Sequence, residues 1–141
     1  MSLPRKYWLI FSTGLVMCGV RVALHLISLK RLLHWLACKP SPDHKGEASI
    51  ESVVYYLDRW LAILPYHPKG NCFPRALTLF FFACRAGLAV QFNCGVMKCD
   101  QRLEGHAWLM LNGRDFLEPS SSWKAFTVTL TFPRSPSVPT D

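Results

Sequence analysis

The first half of the chain has apolar residues at the spacing of helices. Residues 7–38 are rich in Leu, Val, Ile and Trp, and this stretch predicts helix. A second helix is predicted from its N-cap, Ser49, to the residue before Pro65. Its apolar positions recur at steps of three and four residues: Ile50, Val53, Val54, Leu57, Leu61 and Leu64. Residues 39–47 (KPSPDHKGE) lie between the two and have the prolines, glycine and charges of a linker.

A third helix is predicted for the segment NCFPRALTLFFFACRAGL, which begins at Asn71. Asn71 is a good N-cap, and Pro74 falls in the first turn, where its missing N–H costs nothing. Gly87 is a natural C′ residue. The segment is apolar nearly all round, so we expect this helix to be buried on most sides.

Beyond this helix the apolar residues recur with a period of two, which predicts strands. The alternation runs from Leu88 to Val96, from His106 to Met110 and from Phe126 to Phe132. Asn112-Gly113 predicts a turn into a further strand that ends at Glu118. Helices followed by an antiparallel sheet of about four strands predict an α+β fold.

The domain organisation predicted from these segments is simple. Residues 1–48 form an N-terminal helical segment with its linker, and residues 49–132 form the main domain. Residues 133–141 are a proline- and serine-rich tail that we expect to be disordered. The chain has 141 residues and 50% of them are hydrophobic, which is enough to bury a real core.

The formal net charge of +7 is modest, and the basic residues are scattered through the N-terminal half as Arg5-Lys6, Arg21 and Lys30-Arg31. This pattern suits an anionic membrane surface or an acidic peptide. Nucleic acid is not an expected partner, because no basic run is interleaved with exposed aromatic residues.

Residues 7–38 allow three interpretations, in falling order: a packing helix pair, a helix on a membrane surface, and a true anchor. The longest uncharged run, Tyr7 to Val20, is about 14 residues, whereas a bilayer-spanning helix needs ~20. Membrane-surface contact through residues 7–38 therefore stays among the expected interactions.

The chain has six cysteines, an even number that would fit a disulfide framework in a small secreted protein. However, Cys18 and Cys84 lie inside apolar helical segments, where a free cysteine behaves as a small hydrophobic residue. A reduced, cytoplasmic protein is the favoured interpretation.

Cys72 and His106 are the candidate catalytic residues. Cys72 lies in the first turn of the third helix, where backbone N–H groups and the helix dipole are expected to lower a thiol pKa. His106 lies on a predicted strand, and the carboxylate of Glu118 follows it. A thiol, an imidazole and a carboxylate are the parts of a Cys-His-acid hydrolase.

The register of the predicted hairpin tests which carboxylate can reach the histidine. If Asn112-Gly113 is a two-residue turn, Leu111 faces Arg114, and Glu118 points to the face opposite His106. If the loop has three residues with a G1 bulge, Glu118 lies directly across from His106 on the same face.

The rival acid, Asp115, fails in both registers. It either takes the opposite face or lies four residues along the strand, roughly 13 Å from His106. Glu118 is therefore the predicted third member of the triad.

A metal site is the competing interpretation of Cys94, Cys99 and His106. The C-x₄-C spacing is allowed for zinc, but no fourth ligand has a suitable spacing, and Cys94 falls on the alternating apolar face. We expect no metal and no other cofactor.

The motifs around the candidate site resemble one family. The run C-F-P-R-A-L-T-L from Cys72, a following G-L, and H-A-W from His106 before an N-G turn resemble the lasso-peptide leader peptidases, relatives of the microcin-processing protein. The resemblance covers roughly residues 50–118, and the chain length suits the standalone form of the family. It implies a transglutaminase-like, papain-like cysteine peptidase core preceded by N-terminal helices.

By this similarity Cys72 matches the nucleophile and His106 the general base, while Glu118 stands where the family usually has aspartate. Arg75 matches a recurrent arginine with a structural or leader-contacting role, and Arg75 and Trp108 are candidate substrate contacts. Two other functions stay open: a transglutaminase-like acyltransferase, and a non-catalytic, membrane-associated peptide-binding protein.

The resemblance also implies partners. The substrate would be the leader of a precursor peptide, presented by a separate small winged-helix recognition protein. The released core peptide would pass to an asparagine-synthetase-like lasso cyclase.

Overall fold

Four helices come first in the chain, and a four-stranded antiparallel sheet follows them. The computed structural model describes residues 3–37, 47–64, 72–118 and 121–133. The helices are α1 Leu3–Leu26, α2 Leu29–Leu36, α3 Glu47–Ile63 and α4 Cys72–Arg85. The strands are β1 Gln91–Cys99, β2 Arg102–Leu111, β3 Arg114–Phe116 and β4 Thr127–Phe132, with a short 3-10 helix, Ser121–Ala125, before β4. The predicted α+β class is confirmed.

The helix predicted for residues 7–38 begins earlier and is interrupted. α1 starts at Leu3 and ends at Leu26, and Ser28 separates it from α2. Ser28 has an extended backbone (φ −70°, ψ 152°), and its hydroxyl accepts a hydrogen bond from the amide of Arg31. The break is therefore an N-cap, which a continuous helix across residue 28 would not allow.

Two other predicted boundaries differ or lie outside the described residues. α3 begins at Glu47, so Ser49 lies inside the helix instead of capping it. The linker predicted over residues 39–47 is one residue too long, because Glu47 is already the first residue of α3, and residues 39–46 lie outside the described residues. The N-cap Asn71 and the tail after residue 133 also lie outside them.

The C-terminus of α4 ends as predicted. Gly87 has φ 88°, in the left-handed region, and its amide donates to the carbonyl of Cys84. The amide of Leu88 donates to the carbonyl of Ala83, which completes a Schellman motif. Glycine at this position avoids the steric cost that a Cβ would carry.

The sheet has the strand order β3-β2-β1-β4, and the hydrophobic core lies between the sheet and the helices. Helices α1, α2, α3 and α4 all contribute to it, together with β1 and β2. Its fully buried members include Met17, Leu33, Leu57, Leu77 and Phe92. The domain boundary predicted at residue 48 stays a prediction, and the helices on either side of it share this core.

Both hairpins of the sheet close with two-residue turns. Asp100 and Gln101 connect β1 to β2 with φ 47° and 68°, and Asn112 and Gly113 connect β2 to β3 with φ 54° and 78°. Positive φ at both central residues is the type I′ geometry, whose twist matches that of the paired strands.

Gly95 lies at an irregularity in the pairing of β1 with β4. A Cβ at this position would lie 2.5 Å from the carbonyl oxygen of Thr127. A glycine is therefore required for β4 to approach this closely.

α1 passes the length and composition criteria for a membrane-spanning helix. It is longer than the uncharged run from Tyr7 to Val20, because Arg21 continues in the same helix. About a quarter of its most apolar stretch (28%) is buried against the domain. Cys18, which we predicted to be an apolar packing residue, is exposed on this helix.

Candidate active site

Cys72 is the first residue of α4 and is partly exposed. The backbone amides of Ala107 on β2, of Phe73 and of Cys72 itself lie near the sulfur, and each acts to lower the pKa of the thiol. Two of these amides belong to the first turn of α4, where N–H groups have no partner within the helix. The third places the thiol beside β2, next to the residue that follows His106.

The pKa of the Cys72 thiol is raised above its ordinary value, so the predicted lowering is wrong. Burial raises it most, because it disfavours the charged thiolate. The backbone amides of Ala107, Phe73 and Cys72 act in the opposite direction, and the negative charge of Glu118 raises the pKa further. Burial therefore outweighs the helix N-terminus here, and the net shift of the Cys72 pKa is upward.

His106 and Glu118 form a close pair. The imidazole Nε2 lies 2.7 Å from Oε2 of Glu118. The Glu118 side chain is only 6% exposed and that of His106 is 20% exposed. Because a carboxylate accepts hydrogen bonds, Nε2 is the donor, which leaves Nδ1 unprotonated in the neutral imidazole.

Glu118 reaches His106 by a route that the sequence analysis did not predict. Leu111 pairs with Arg114, which is the two-residue register that should send Glu118 to the opposite face. However, β3 ends at Phe116, and Leu117 has φ 55°, a left-handed conformation that is rare for leucine. The chain leaves the strand there, so strand alternation no longer determines where Glu118 points.

Asp115, the rival carboxylate, stays on the regular part of β3. It pairs with Met110, four residues beyond His106 on β2, and it is exposed. This position matches the two-residue register and leaves Glu118 as the acid that contacts the histidine.

Aromatic side chains surround the imidazole. Trp108, two residues along β2, stacks on His106 with ring centroids 5.7 Å apart and an interplanar angle of 17°. Phe126 lies 5.2 Å from the imidazole centroid, and Trp123 packs against Trp108 at 5.9 Å. The imidazole is therefore held in position by rings as well as by Glu118.

Trp108 is 2% exposed, and its indole Nε1 is buried without a hydrogen-bond partner. In this geometry the ring is packed behind His106 and is not presented at the surface. Its predicted contact with substrate stays a prediction.

Phe126 and Trp123 also belong to the surroundings of His106, although neither was predicted there. Phe126 was predicted only as the first apolar residue of the last strand, and Trp123 lies in the 3-10 helix before it. The pairing of β4 with β1 brings this segment to His106, so no local sequence signal marks it.

Arg75, in the first turn of α4, points to α3. Its Nε lies 3.0 Å from Oδ1 of Asp58, and the two side chains are 15% and 52% exposed. The pair ties the helix that carries Cys72 to α3. A substrate contact of Arg75 stays a prediction.

Within the described ranges, no group of three or more His, Cys, Asp or Glu side chains could hold a metal ion. Cys94 contacts the hydroxyl of Thr129 at 3.8 Å, and burial raises the pKa of its thiol. Cys99 is exposed at the end of β1. The Cys94 thiol is therefore packed beside Thr129, whereas the Cys99 thiol is exposed to solvent.

The described geometry brings Cys72 to the strand that carries His106 and its partner Glu118. Cys72 lies against the backbone of Ala107, and His106 precedes that residue and is paired with Glu118. Among the described residues, neither imidazole nitrogen hydrogen-bonds to the Cys72 sulfur in this resting geometry. Catalytic hydrogen bonds are often long before substrate binds.

Comparison with known proteins agrees with the fold. A model of the transglutaminase-like superfamily matches residues 15–131, which is most of the chain. The chain belongs to the transglutaminase-like superfamily. This superfamily includes cysteine peptidases and acyltransferases. No curated protein and no solved structure gives a significant match.

The match to the transglutaminase-like superfamily begins inside α1 and ends inside β4. It therefore covers α4 with Cys72 and β2 with His106, as well as the segment that carries Glu118. Membership of the superfamily determines neither the substrate nor whether water or an amine would accept an acyl group.

Proposed function

We propose that this transglutaminase-like protein is a cysteine peptidase that removes the leader from a lasso-peptide precursor. Cys72 is the nucleophile, His106 the general base and Glu118 the residue that orients the imidazole. The observation that carries the proposal is the 2.7 Å contact between His106 Nε2 and Glu118 Oε2, which fixes the tautomer with a basic Nδ1.

In the first half of the reaction, Nδ1 of His106 takes the proton of the Cys72 thiol, and the sulfur attacks the carbonyl carbon that joins leader to core. The imidazolium then gives its proton to the departing amine of the core peptide. The leader remains as a thioester on Cys72. A water molecule, deprotonated by His106, then attacks the thioester, and the leader leaves with a free carboxylate while the thiol regains its proton.

The backbone supports the charge that develops during attack. The amide of Cys72 lies at the head of α4, where its N–H has no partner within the helix. Once the sulfur bonds to the carbonyl carbon, this N–H is placed to donate to the oxyanion.

The raised pKa of Cys72 makes the histidine necessary. Because burial favours the protonated thiol, a base beside Cys72 is needed to take the proton that the sulfur loses. The Glu118 carboxylate, which disfavours a thiolate, favours the imidazolium that forms in its place.

The substrate class rests on the resemblance of the motifs C-F-P-R-A-L and H-A-W to those of the lasso-peptide leader peptidases. By that resemblance, the leader is presented by a small winged-helix recognition protein, and the core passes to an asparagine-synthetase-like cyclase. Arg75 and Trp108 would contact substrate only if the Asp58 pair and the stack on His106 open.

The test is mass spectrometry of a lasso precursor peptide incubated with this protein and the recognition protein. We expect cleavage at one bond by the wild type and by Cys99→Ala, a control at an exposed thiol, and none by Cys72→Ala. Unchanged cleavage by Cys72→Ala would disprove the proposal.

The same experiment separates hydrolysis from acyl transfer. Hydrolysis adds one water across the two fragments, whereas an acyltransferase joins the leader to an added amine. Product that carries the amine in place of water would assign the same triad to a transglutaminase-like acyltransferase. A leader that binds without any Cys72-dependent product would favour a peptide-binding protein.

A further inference from the structure

The outer face of α1 is a continuous apolar stripe. Its residues recur at steps of four or seven and so lie along one side of the helix. They are Leu3, Tyr7, Phe11, Leu15, Val22 and Leu26, each 57–76% exposed. Trp8 flanks them and is 65% exposed, and exposed Cys18 fills the gap before Val22. A soluble domain rarely leaves so many large apolar side chains contiguous and uncovered.

The opposite face of α1 is already occupied by the domain. Leu9, Met17 and Val20 are buried in the core, and the Trp60 indole of α3 donates to the carbonyl of Ile10 at 2.9 Å. Gly14 packs so close to Trp60 that a Cβ there would lie 2.7 Å from the ring. α1 is therefore fixed lengthwise on the domain, and a bilayer-spanning position would require this face to separate from the core.

The charged residues of α1 and α2 are all basic. The first acidic residue of the chain is Asp43, so every charged residue before it is basic. Arg5 and Lys6 are exposed near the start of the stripe, and Lys30 and Arg31 are exposed on α2. Basic residues beside an apolar face attract a surface of anionic lipid headgroups.

We propose that α1 docks lengthwise on the surface of an anionic bilayer, with its apolar stripe inserted between headgroups and acyl chains. Tyr7 and Trp8 are suited to this depth, because their rings are apolar with one polar atom. The catalytic domain stays in water on the other side of the helix. This surface is independent of the proposed peptidase activity.

Self-association through the same face is less compatible with the charge. A symmetric dimer through α1 would bring two sets of basic residues together, and neither α1 nor α2 contains an acidic residue to pair with them. An anionic membrane instead presents negative charge to these exposed basic residues. A dimer through the apolar stripe of α1 would contradict the proposal.

The experiment is co-sedimentation of the full chain with phosphatidylcholine vesicles prepared with and without phosphatidylglycerol. We expect the wild type to sediment with the anionic vesicles and much less with the neutral ones, with binding weakened by added salt. The double variant Phe11→Glu/Leu15→Glu should lower the partition coefficient by about tenfold or more. The matched control Leu103→Glu, at a 74% exposed residue on β2, should bind like the wild type.

Folding of each variant is checked by thermal unfolding, and Phe11 and Leu15 are exposed enough that the double variant should unfold with the wild type. Three results would overturn the proposal: no sedimentation of the wild type, equal loss in Leu103→Glu, or equal binding to neutral vesicles. A soluble dimer by light scattering that the double variant dissociates would assign the stripe to a second copy instead.

Quenching by brominated lipids tests the orientation. The fluorescence difference between the wild type and Trp8→Phe should be quenched most by bromine near the headgroups. Strongest quenching by bromine at the acyl chain ends would show a spanning helix and would contradict a helix that lies flat.

Discussion

Glu118 contacts His106 through a 2.7 Å bond between Oε2 and Nε2, although the pairing of β2 with β3 is in the register that should separate them. The contact forms because β3 ends at Phe116 and the left-handed conformation of Leu117 turns the chain out of the strand. The site thus depends on where a strand ends, and a single non-glycine residue with positive φ sets that point.

Replacing Glu118 should impair catalysis far more than binding. In Glu118→Gln the amide can still contact Nε2, but the negative charge that stabilises the imidazolium is lost. We expect kcat to fall by roughly 10²-fold or more with little change in KM, measured by steady-state cleavage of the precursor. Asp115→Asn, at the exposed acid of β3, is the control and should keep wild-type kcat. Equal losses in the two variants would remove Glu118 from the triad.

The raised pKa of Cys72 predicts how its alkylation depends on pH. Burial and the charge of Glu118 both favour the protonated thiol, so the thiolate fraction grows only as pH rises through the raised pKa. The rate of iodoacetamide labelling at Cys72, located by peptide mass mapping, should therefore keep rising above neutral pH. A rate that is already constant at pH 6 would show a preformed thiolate and would contradict this assignment.

For Glu118→Gln, we expect the rate of Cys72 labelling and the rate of cleavage to change in opposite directions. Removing the carboxylate charge lowers the pKa of Cys72, so labelling near neutral pH should become faster by roughly two- to tenfold while cleavage becomes slower. Asp115→Asn should label at the wild-type rate. Slower labelling in Glu118→Gln would show that Glu118 does not raise this pKa.

Gly95 should be intolerant of a side chain. The Cβ of Gly95→Ala would meet the Thr127 carbonyl oxygen, so β4 must shift, and we expect a loss of about 1–3 kcal/mol in the free energy of unfolding by urea denaturation. Phe126, next to Thr127, packs on His106 and would move with the strand. Gly19→Ala, on an open surface of α1, is the control and should gain about 0.5–1 kcal/mol. Similar stability of both variants would refute the close approach.

Arg75 is expected to act as a link between α4 and α3. Because its partner Asp58 is about half exposed, Arg75→Gln and Asp58→Asn should each lower the free energy of unfolding by less than about 1 kcal/mol and leave KM unchanged. Chemical denaturation and steady-state kinetics of the two variants check this. An increase in KM confined to Arg75→Gln would show instead that Arg75 contacts the substrate.

The features that could be predicted from the sequence are those set by neighbouring residues. Gly87 ends α4 because a left-handed C′ residue favours glycine, and Cys72 begins α4, a helix that the pattern of apolar residues and Pro74 indicates. Asn112-Gly113 forms the two-residue turn that such a pair favours. The break at Ser28 was missed, although a serine able to cap α2 was present in the sequence.

The features that could not be predicted depend on tertiary contacts. The pKa of Cys72 is raised because the fold buries it, and burial is not visible in a helix N-terminus alone. Glu118 contacts His106 because β3 ends at Phe116, and the alternation of apolar residues does not predict where that strand ends. Phe126 reaches His106 only through the pairing of β4 with β1, which joins segments distant in sequence.

We propose that Cys72 attacks the leader–core bond with the help of His106 and Glu118. The most direct test is intact-protein mass spectrometry of acid-quenched single-turnover mixtures with the precursor peptide and its recognition protein. We expect an adduct of the leader's mass less one water that maps to Cys72, with cleavage and adduct both absent from Cys72→Ala. Cleavage at an unchanged rate in Cys72→Ala, or an adduct on another residue, would contradict it.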